Sequence, residues 1–233
     1  MSTPAPASLR FARPVSQARA ERSGRAIVAA LLDLLRERDY NDISVAELAQ
    51  QAGLSVGGFY ARFASKDALL PVVAEHLLTD CRTALDEAMD AAVAESTEQD
   101  PSVGIARIIG AYVDAMVRKF RQHRRALIQV RRHAADGDPR IAVTISEFNT
   151  HAHGRLRTLL QERRAAIGHP DPDLGIELGL FMASASAREA VLAGSLRVYR
   201  ARVDDQRLAA EITRSYVAFL DLAASSRSKR RRR

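Results

Sequence analysis

The groups from which a catalytic or metal centre would have to be built are six histidines, twenty-eight carboxylates and one cysteine, Cys81. Their spacing builds none. His151 and His153 stand at i and i+2, which on a helix sends the rings about 200° apart, whereas a zinc-binding pair stands at i, i+4. His123 has no carboxylate at helical spacing. A lone cysteine excludes an intrachain disulfide and a cysteine-rich zinc site, and Cys81 reads as a buried, inert thiol. No Ser–His–Asp arrangement, phosphate loop or glycine fingerprint occurs, and Glu147 and Glu177 read as solvated helix faces. These residues predict no enzyme, no metal and no cofactor.

The residues whose spacing is suited to binding are hydroxyls, small residues and an aromatic run between Ile43 and Leu70. Ser44-Val-Ala-Glu47 is spaced as a capping box: the Ser44 hydroxyl accepts the Glu47 amide while the Glu47 carboxylate reaches back. That predicts a helix to about Ala52. Gly53-Leu54-Ser55 is a tight turn, with Gly53 supplying left-handed backbone, and Ser55 caps a second short helix from Val56 to about Phe63. Ser65 caps a longer one through Leu69, Leu70, Val73, Leu77 and Leu78, in which Pro71 predicts a bend. Two short helices across a tight turn make a helix-turn-helix. Small Ala49 and Gly53 allow their close approach. Ile43, Val45, Leu48, Leu54, Phe59 and Phe63 supply a core against Ile27, Leu31 and Leu34 of the preceding helix. The second helix then points its N-terminus outward, where free amides favour phosphate.

The stretch from Ile43 to Leu70, with its run Phe59-Tyr60-Ala61-Arg62-Phe63-Ala64-Ser65-Lys66, resembles the DNA-binding signature of the TetR family over roughly residues 20 to 75. It departs from the family at Asp39, where Gly is usual, and Asp tolerates left-handed geometry. The resemblance implies that Ser44 bonds a phosphate, and that Ser55, Val56, Gly57 and Gly58 face the major groove. It implies phosphate contacts for the Tyr60 hydroxyl and for Lys66, and a phosphate or guanine edge for Arg62. Val56 and the two glycines offer little to read bases with. Specificity would rest on Arg62, on DNA shape and on an arginine of the N-terminal arm.

The elements that position these residues follow from composition. Hydrophobic residues make up 47% and aromatics 5%, with Ala, Leu, Arg and Glu recurring throughout, which predicts an all-α fold. Residues 1–15 read as a disordered basic arm, 16–68 as the helix-turn-helix domain, 69–225 as a helical effector-binding and dimerisation domain, and 226–233 as a disordered basic tail. Helices are predicted over 103–122, 125–135, 140–167, 173–200 and 205–225. Family architecture implies that the last two pair with those of a second subunit, offering Leu174, Leu178, Phe181 and Met182 on one and Ile212, Tyr216, Phe219, Leu220 and Leu222 on the other. An intrachain core is the alternative, and both can hold for different faces of the same helix. Tyr112, Met116, Phe120, Phe148, Phe181 and Met182 are candidates to line an effector pocket, although such a stripe is more often ordinary core. Arg188 and Glu189 read as an ion pair rather than as ligand contacts.

The formal charge of +7 suits a polyanionic partner. No signal peptide and no apolar run long enough to span a bilayer occurs, which predicts a cytoplasmic protein. The resulting expectation is a homodimeric repressor on a near-palindromic operator, released by a small-molecule effector, with the long fourth helix as lever. The alternative is a nonspecific architectural DNA binder without ligand control.

Overall fold

A computed structural model describes residues 12–96, 100–197 and 203–222. Residues 1–11 of the expected arm and the expected tail at 226–233 lie outside the described residues, while residues 12–15, expected in the arm, open the first helix. Among the described residues every regular element is a helix: α1 (Ala12–Glu37), α2 (Val45–Gln51), α3 (Val56–Tyr60), α4 (Leu70–Ala94), α5 (Pro101–Gln122), α6 (Arg124–Ala135), α7 (Pro139–Gln161), α8 (Pro172–Arg188) and α9 (Asp205–Phe219). The chain divides into two compact units, one ending at Val73 and the other beginning at Ala74, within α4.

The first unit is built on α1, whose Ile27, Val28, Leu31 and Leu35 are buried with Ile43, Leu48, Ala49 and Phe59. Leu34, Val45, Leu54 and Phe63 close the edges and stay partly exposed. Asp39 is not left-handed. It is extended (φ −79°, ψ 149°) and leads into a 3-10 turn, Tyr40–Asp42, so this position needs no glycine. Pro71 falls at the second residue of α4, because the segment before it is a separate 3-10 turn, Asp67–Leu69. In a first helical turn its missing N–H has no bond to lose, so the reason for expecting a bend disappears.

In the second unit α5 is central, burying Ile105, Ile108, Ile109, Tyr112, Val113, Met116 and Val117. It packs against α6, α7, α8 and α9. Asp100, Asp138, Asp171 and Asp204 cap α5, α7, α8 and α9 through their carboxylates. Two helices are shorter than their composition suggests. α7 stops at Gln161, before a 3-10 turn at Arg164–Ala166. α8 stops at Arg188 and passes into one π turn, Glu189–Ala193, closed by left-handed Gly194. Arg124 satisfies the carbonyls freed there, donating from Nε to Val191 O (2.8 Å) and from Nη2 to Leu192 O (3.2 Å).

α8 carries two different apolar surfaces. Gly175, Gly179, Ala183 and Ala187 repeat every four residues and are buried. The large residues Leu174, Leu178, Phe181 and Met182 are exposed, Phe181 to 64%. On α9 the expected partner-facing residues Ile212, Tyr216, Leu220 and Leu222 are instead buried within the protomer. The small residues of α8 are what let α9 come close enough to bury them. A Cβ on Gly179 would overlap the Tyr216 ring, whose hydroxyl donates to Ile176 O (2.7 Å).

Candidate nucleic-acid interface

The site begins with a cap. The Glu47 amide donates to Ser44 Oγ (3.2 Å), and the Ser44 amide and hydroxyl both donate to Glu47 Oε2 (2.8 and 2.7 Å). Arg38 donates to the other carboxylate oxygen (2.6 Å) and to Asp42 O. The Arg38 bond, with the two from Ser44, holds the Glu47 carboxyl down at about 2. Both Ser44 donors are thereby occupied, and a phosphate contact from Ser44 would require its hydroxyl to leave Glu47.

The turn follows as the sequence predicts: Gly53 is left-handed (φ 68°), and the Leu54 amide donates to Ala49 O (2.8 Å). α3 is only five residues long. Its Gly58 amide is already taken by Ser55 Oγ (3.0 Å), so little of its N-terminus is left free for an anion. What α3 presents is a face. Phe59 is fully buried, edge-on to Tyr60 at 5.4 Å and tilted against Phe63 at 5.9 Å. That anchor turns Val56 (43% exposed) and Tyr60 (53%) outward, together with exposed Ser55, Gly57 and Arg62. Gly58 is half-buried beside Leu54. Among the described residues, Arg62 donates to its neighbour's carbonyl, Ala61 O (3.3 Å), and is exposed.

Lys66 is placed differently. Its Nζ donates to Tyr40 O (2.7 Å) and Ile43 O (2.8 Å) and lies 4.2 Å from the Tyr40 ring centroid. The Tyr40 hydroxyl donates to Asp67 Oδ1 (2.7 Å). Burial pushes the Lys66 ammonium down, partly offset by Asp67 and Asp42, while burial and then Asp67 push the Tyr40 phenol up. Sequence reasoning missed Tyr40, Asp67 and Arg38 because their partners lie across turns. An aromatic just before Asn41-Asp42 was the one available signal.

In the second unit Tyr112, Met116, Phe120 and Phe148 are buried, whereas Phe181 and Met182 are exposed. Tyr112 Oη lies 3.4 Å from Ser184 Oγ, which is 3.3 Å from His153 Nε2. No Arg188–Glu189 ion pair is present among the described residues. Glu189 accepts from Ser195 Oγ (3.2 Å), and Arg188 Nε is buried with no hydrogen-bond partner among the described residues. His151 meets Asp86 (2.9 Å), and no metal-ligating cluster occurs among the described residues. Burial pushes the Cys81 thiol up to about 12, in keeping with an inert thiol.

A capped helix, a left-handed glycine turn and a second helix anchored by one buried phenylalanine define a helix-turn-helix domain. Residues 27–73 match the model of the bacterial regulatory proteins of the tetR family. An uncharacterized HTH-type transcriptional regulator of Bacillus subtilis, YvdT, is 38% identical over 53 residues, covering 23% of this chain. The chain thus spans about a quarter (27%) of the length of that curated relative. Among solved structures the fold resembles a tetR-family transcriptional regulator from Streptomyces coelicolor (TM-score 0.60, 17% identity, 89% of this chain and 83% of that one). It also resembles the fatty acid degradation regulator FadR from Bacillus halodurans (0.58, 15%, 84% and 94%). A third is RolR in complex with resorcinol (0.51, 19%, 89% and 95%). Residues 27–73 are thus similar to the DNA-binding domain of tetR-family regulators, and the chain as a whole shares their fold.

Proposed function

We propose that the chain is a DNA-binding transcriptional repressor, acting as a homodimer on a near-palindromic operator and released by a small-molecule effector. The observation that carries the reading is the α3 face, held outward by buried Phe59. Val56 suits a thymine methyl, Gly57 permits close approach to a base edge, and Arg62 reaches a guanine or a phosphate. The Tyr60 hydroxyl and the remaining N–H of Lys66 suit phosphates, with Ser44, Ser55 and Gly58 shaping the same surface. Such a partner places the protein in the cytoplasm, and no described helix is long and apolar enough to cross a membrane.

The exposed stripe of Leu174, Leu178, Phe181 and Met182 supports dimerisation through α8, and the outer side of α9 would complete the pairing. Two subunits would present their α3 helices to successive major grooves, about 34 Å apart. The second unit would hold the effector, as the solved complex of RolR with resorcinol suggests by its shared fold. An effector releases DNA only as far as it prefers the weaker-binding conformation.

The test is selection of bound sequences from a random DNA pool, with a Tyr60→Phe, Arg62→Ala variant in parallel. One recovered near-palindrome, bound at least tenfold more weakly by the variant, is the expected result. Recovery of no shared sequence, with both proteins binding alike, would put the nonspecific architectural reading in its place.

A further inference from the structure

We propose that the second unit binds a small organic carboxylate, with the Arg188 guanidinium as its anion partner and the Tyr112–Ser184–His153 chain as its polar flank. The inference rests on the effector-release reading and gives the effector a chemical class.

Arg188 follows Ser184 by four residues, so the two share one face of α8 on successive turns. It stands where α8 gives way to the π turn at Glu189–Ala193, an irregularity that recurs at functional sites. Its Nε is sealed from solvent and meets no acceptor among the described residues. Arg188 is half-buried as a residue, so this one N–H is what is cut off from water, and a donor left unpaired there costs the fold a hydrogen bond. The neighbouring carboxylates are committed elsewhere. Glu177 is held by both Arg157 Nε and Nη2, the latter at 2.8 Å, and Glu189 takes the Ser195 hydroxyl.

Arg131 and His153 both feel the charge of Arg188, opposed at the first by Glu189 and at the second by Glu177. Burial, and then Arg188, disfavours the charged form of Arg131 on α6. Burial, then Arg157 and Arg188, does the same to His153 on α7. Basic groups from three helices thus meet around Arg188, and an anion would supply the acceptor that its Nε lacks. Beside it, Tyr112, Ser184 and His153 are joined by contacts of 3.4 and 3.3 Å, longer than the usual hydroxyl bond, with acceptor and donor capacity left over. Burial pushes the Tyr112 phenol up to about 12, so it stays a neutral donor. One guanidinium with neutral donors a helical turn away suits a carboxylate on an apolar body. Inorganic phosphate would need more donors.

The experiment uses the full chain with acetate, hexanoate and benzoate, their neutral amides, and inorganic phosphate, read by calorimetry and thermal shift. Wild type is compared with Arg188→Met and Ser184→Ala. Saturable binding of hexanoate or benzoate is expected, with the amides weaker by about tenfold or more and a similar loss in Arg188→Met. Without any ligand Arg188→Met is expected to melt at or above the wild-type temperature, since an apolar stem of similar length needs no partner. A fall of several degrees would show that the arginine holds the fold and overturn the proposal. So would the absence of saturable carboxylate binding, equal binding of amides, binding of phosphate alone, or an unchanged affinity in Arg188→Met. Repeating the titration on the operator complex separates the two readings. Carboxylate binding that leaves DNA affinity unchanged sinks effector release and spares the site. Specific DNA binding with no carboxylate bound does the reverse.

Discussion

Lys66 Nζ sits over the Tyr40 ring and donates to the carbonyls of Tyr40 and Ile43, so one ammonium pins the loop after α1 to the segment that opens α4. Removing it leaves two carbonyls without their charged donor and the ring without its cation. Lys66→Met is expected to cost the first unit about 1–3 kcal/mol. Denaturant unfolding followed by tyrosine fluorescence would measure this, and an unchanged midpoint would reduce the clasp to a surface contact. Loss of DNA affinity in a Lys66 variant therefore mixes folding with contact, whereas Tyr60, at 53% exposure, can be altered without that ambiguity.

Two glycines of similar appearance in the sequence should respond oppositely to the same change. At Gly179 a Cβ would overlap Tyr216, which is confined on its far end by its bond to Ile176 O. Gly179→Ala is expected to destabilise by about 1–3 kcal/mol through overpacking. At Gly57 the nearest atom to an added Cβ is Ser55 Oγ at 3.9 Å. Gly57→Ala is expected to leave the melting temperature unchanged or raise it, by up to about 1 kcal/mol of helix propensity. It should nevertheless weaken operator binding if the α3 backbone closes on a base edge. A drop in stability at Gly57 together with unchanged DNA affinity would contradict both halves of that expectation.

Acid should loosen the second unit before its carboxylates titrate. Burial lowers the pKa of His123 below its ordinary 6.5, against the opposing bond to Asp80 (2.7 Å). Burial, then Arg157 and Arg188, lowers that of His153. In both cases the fold favours the neutral ring. The stability this contributes is complete above about pH 6.5 and is lost as pH falls through the folded value. Melting temperature is therefore expected to decline below about pH 6.5, with a shallower decline in His153→Gln. Parallel curves for the two proteins would remove His153 from this account.

The parts of the fold that were legible in the sequence are those decided within a few residues. The Ser44–Glu47 box, the Gly53 turn and the Ser55 cap each depend on a spacing of three, and each stands where its spacing puts it. What was not legible depends on distant partners. Lys66 finds carbonyls 26 and 23 residues away, which no local pattern announces. The end of α8 depends on Arg124, which takes up carbonyls 67 and 68 residues further along. The two faces of α8 show the limit most plainly. Small and large apolar residues share one helical period, and the sequence does not tell which set meets α9. The overlap of Gly179 with Tyr216 decides it, and thereby leaves Leu174, Leu178, Phe181 and Met182 outside.

That exposed set makes the dimer directly testable. Because Leu178 is 40% and Phe181 64% exposed in the protomer, charged residues there displace no intrachain core. Leu178→Glu with Phe181→Glu would set like charges against their own copies across a two-fold axis, where each patch meets itself. The double variant is expected to run as a monomer by light scattering at micromolar concentration while keeping its helical circular dichroism. Its affinity for the full near-palindrome should fall towards that of a half-site, since the second α3 is no longer held at the same local concentration. A variant that keeps the dimeric mass would move the subunit contact off this face of α8. A variant that loses its helicity would mean that the stripe serves the protomer rather than a second copy.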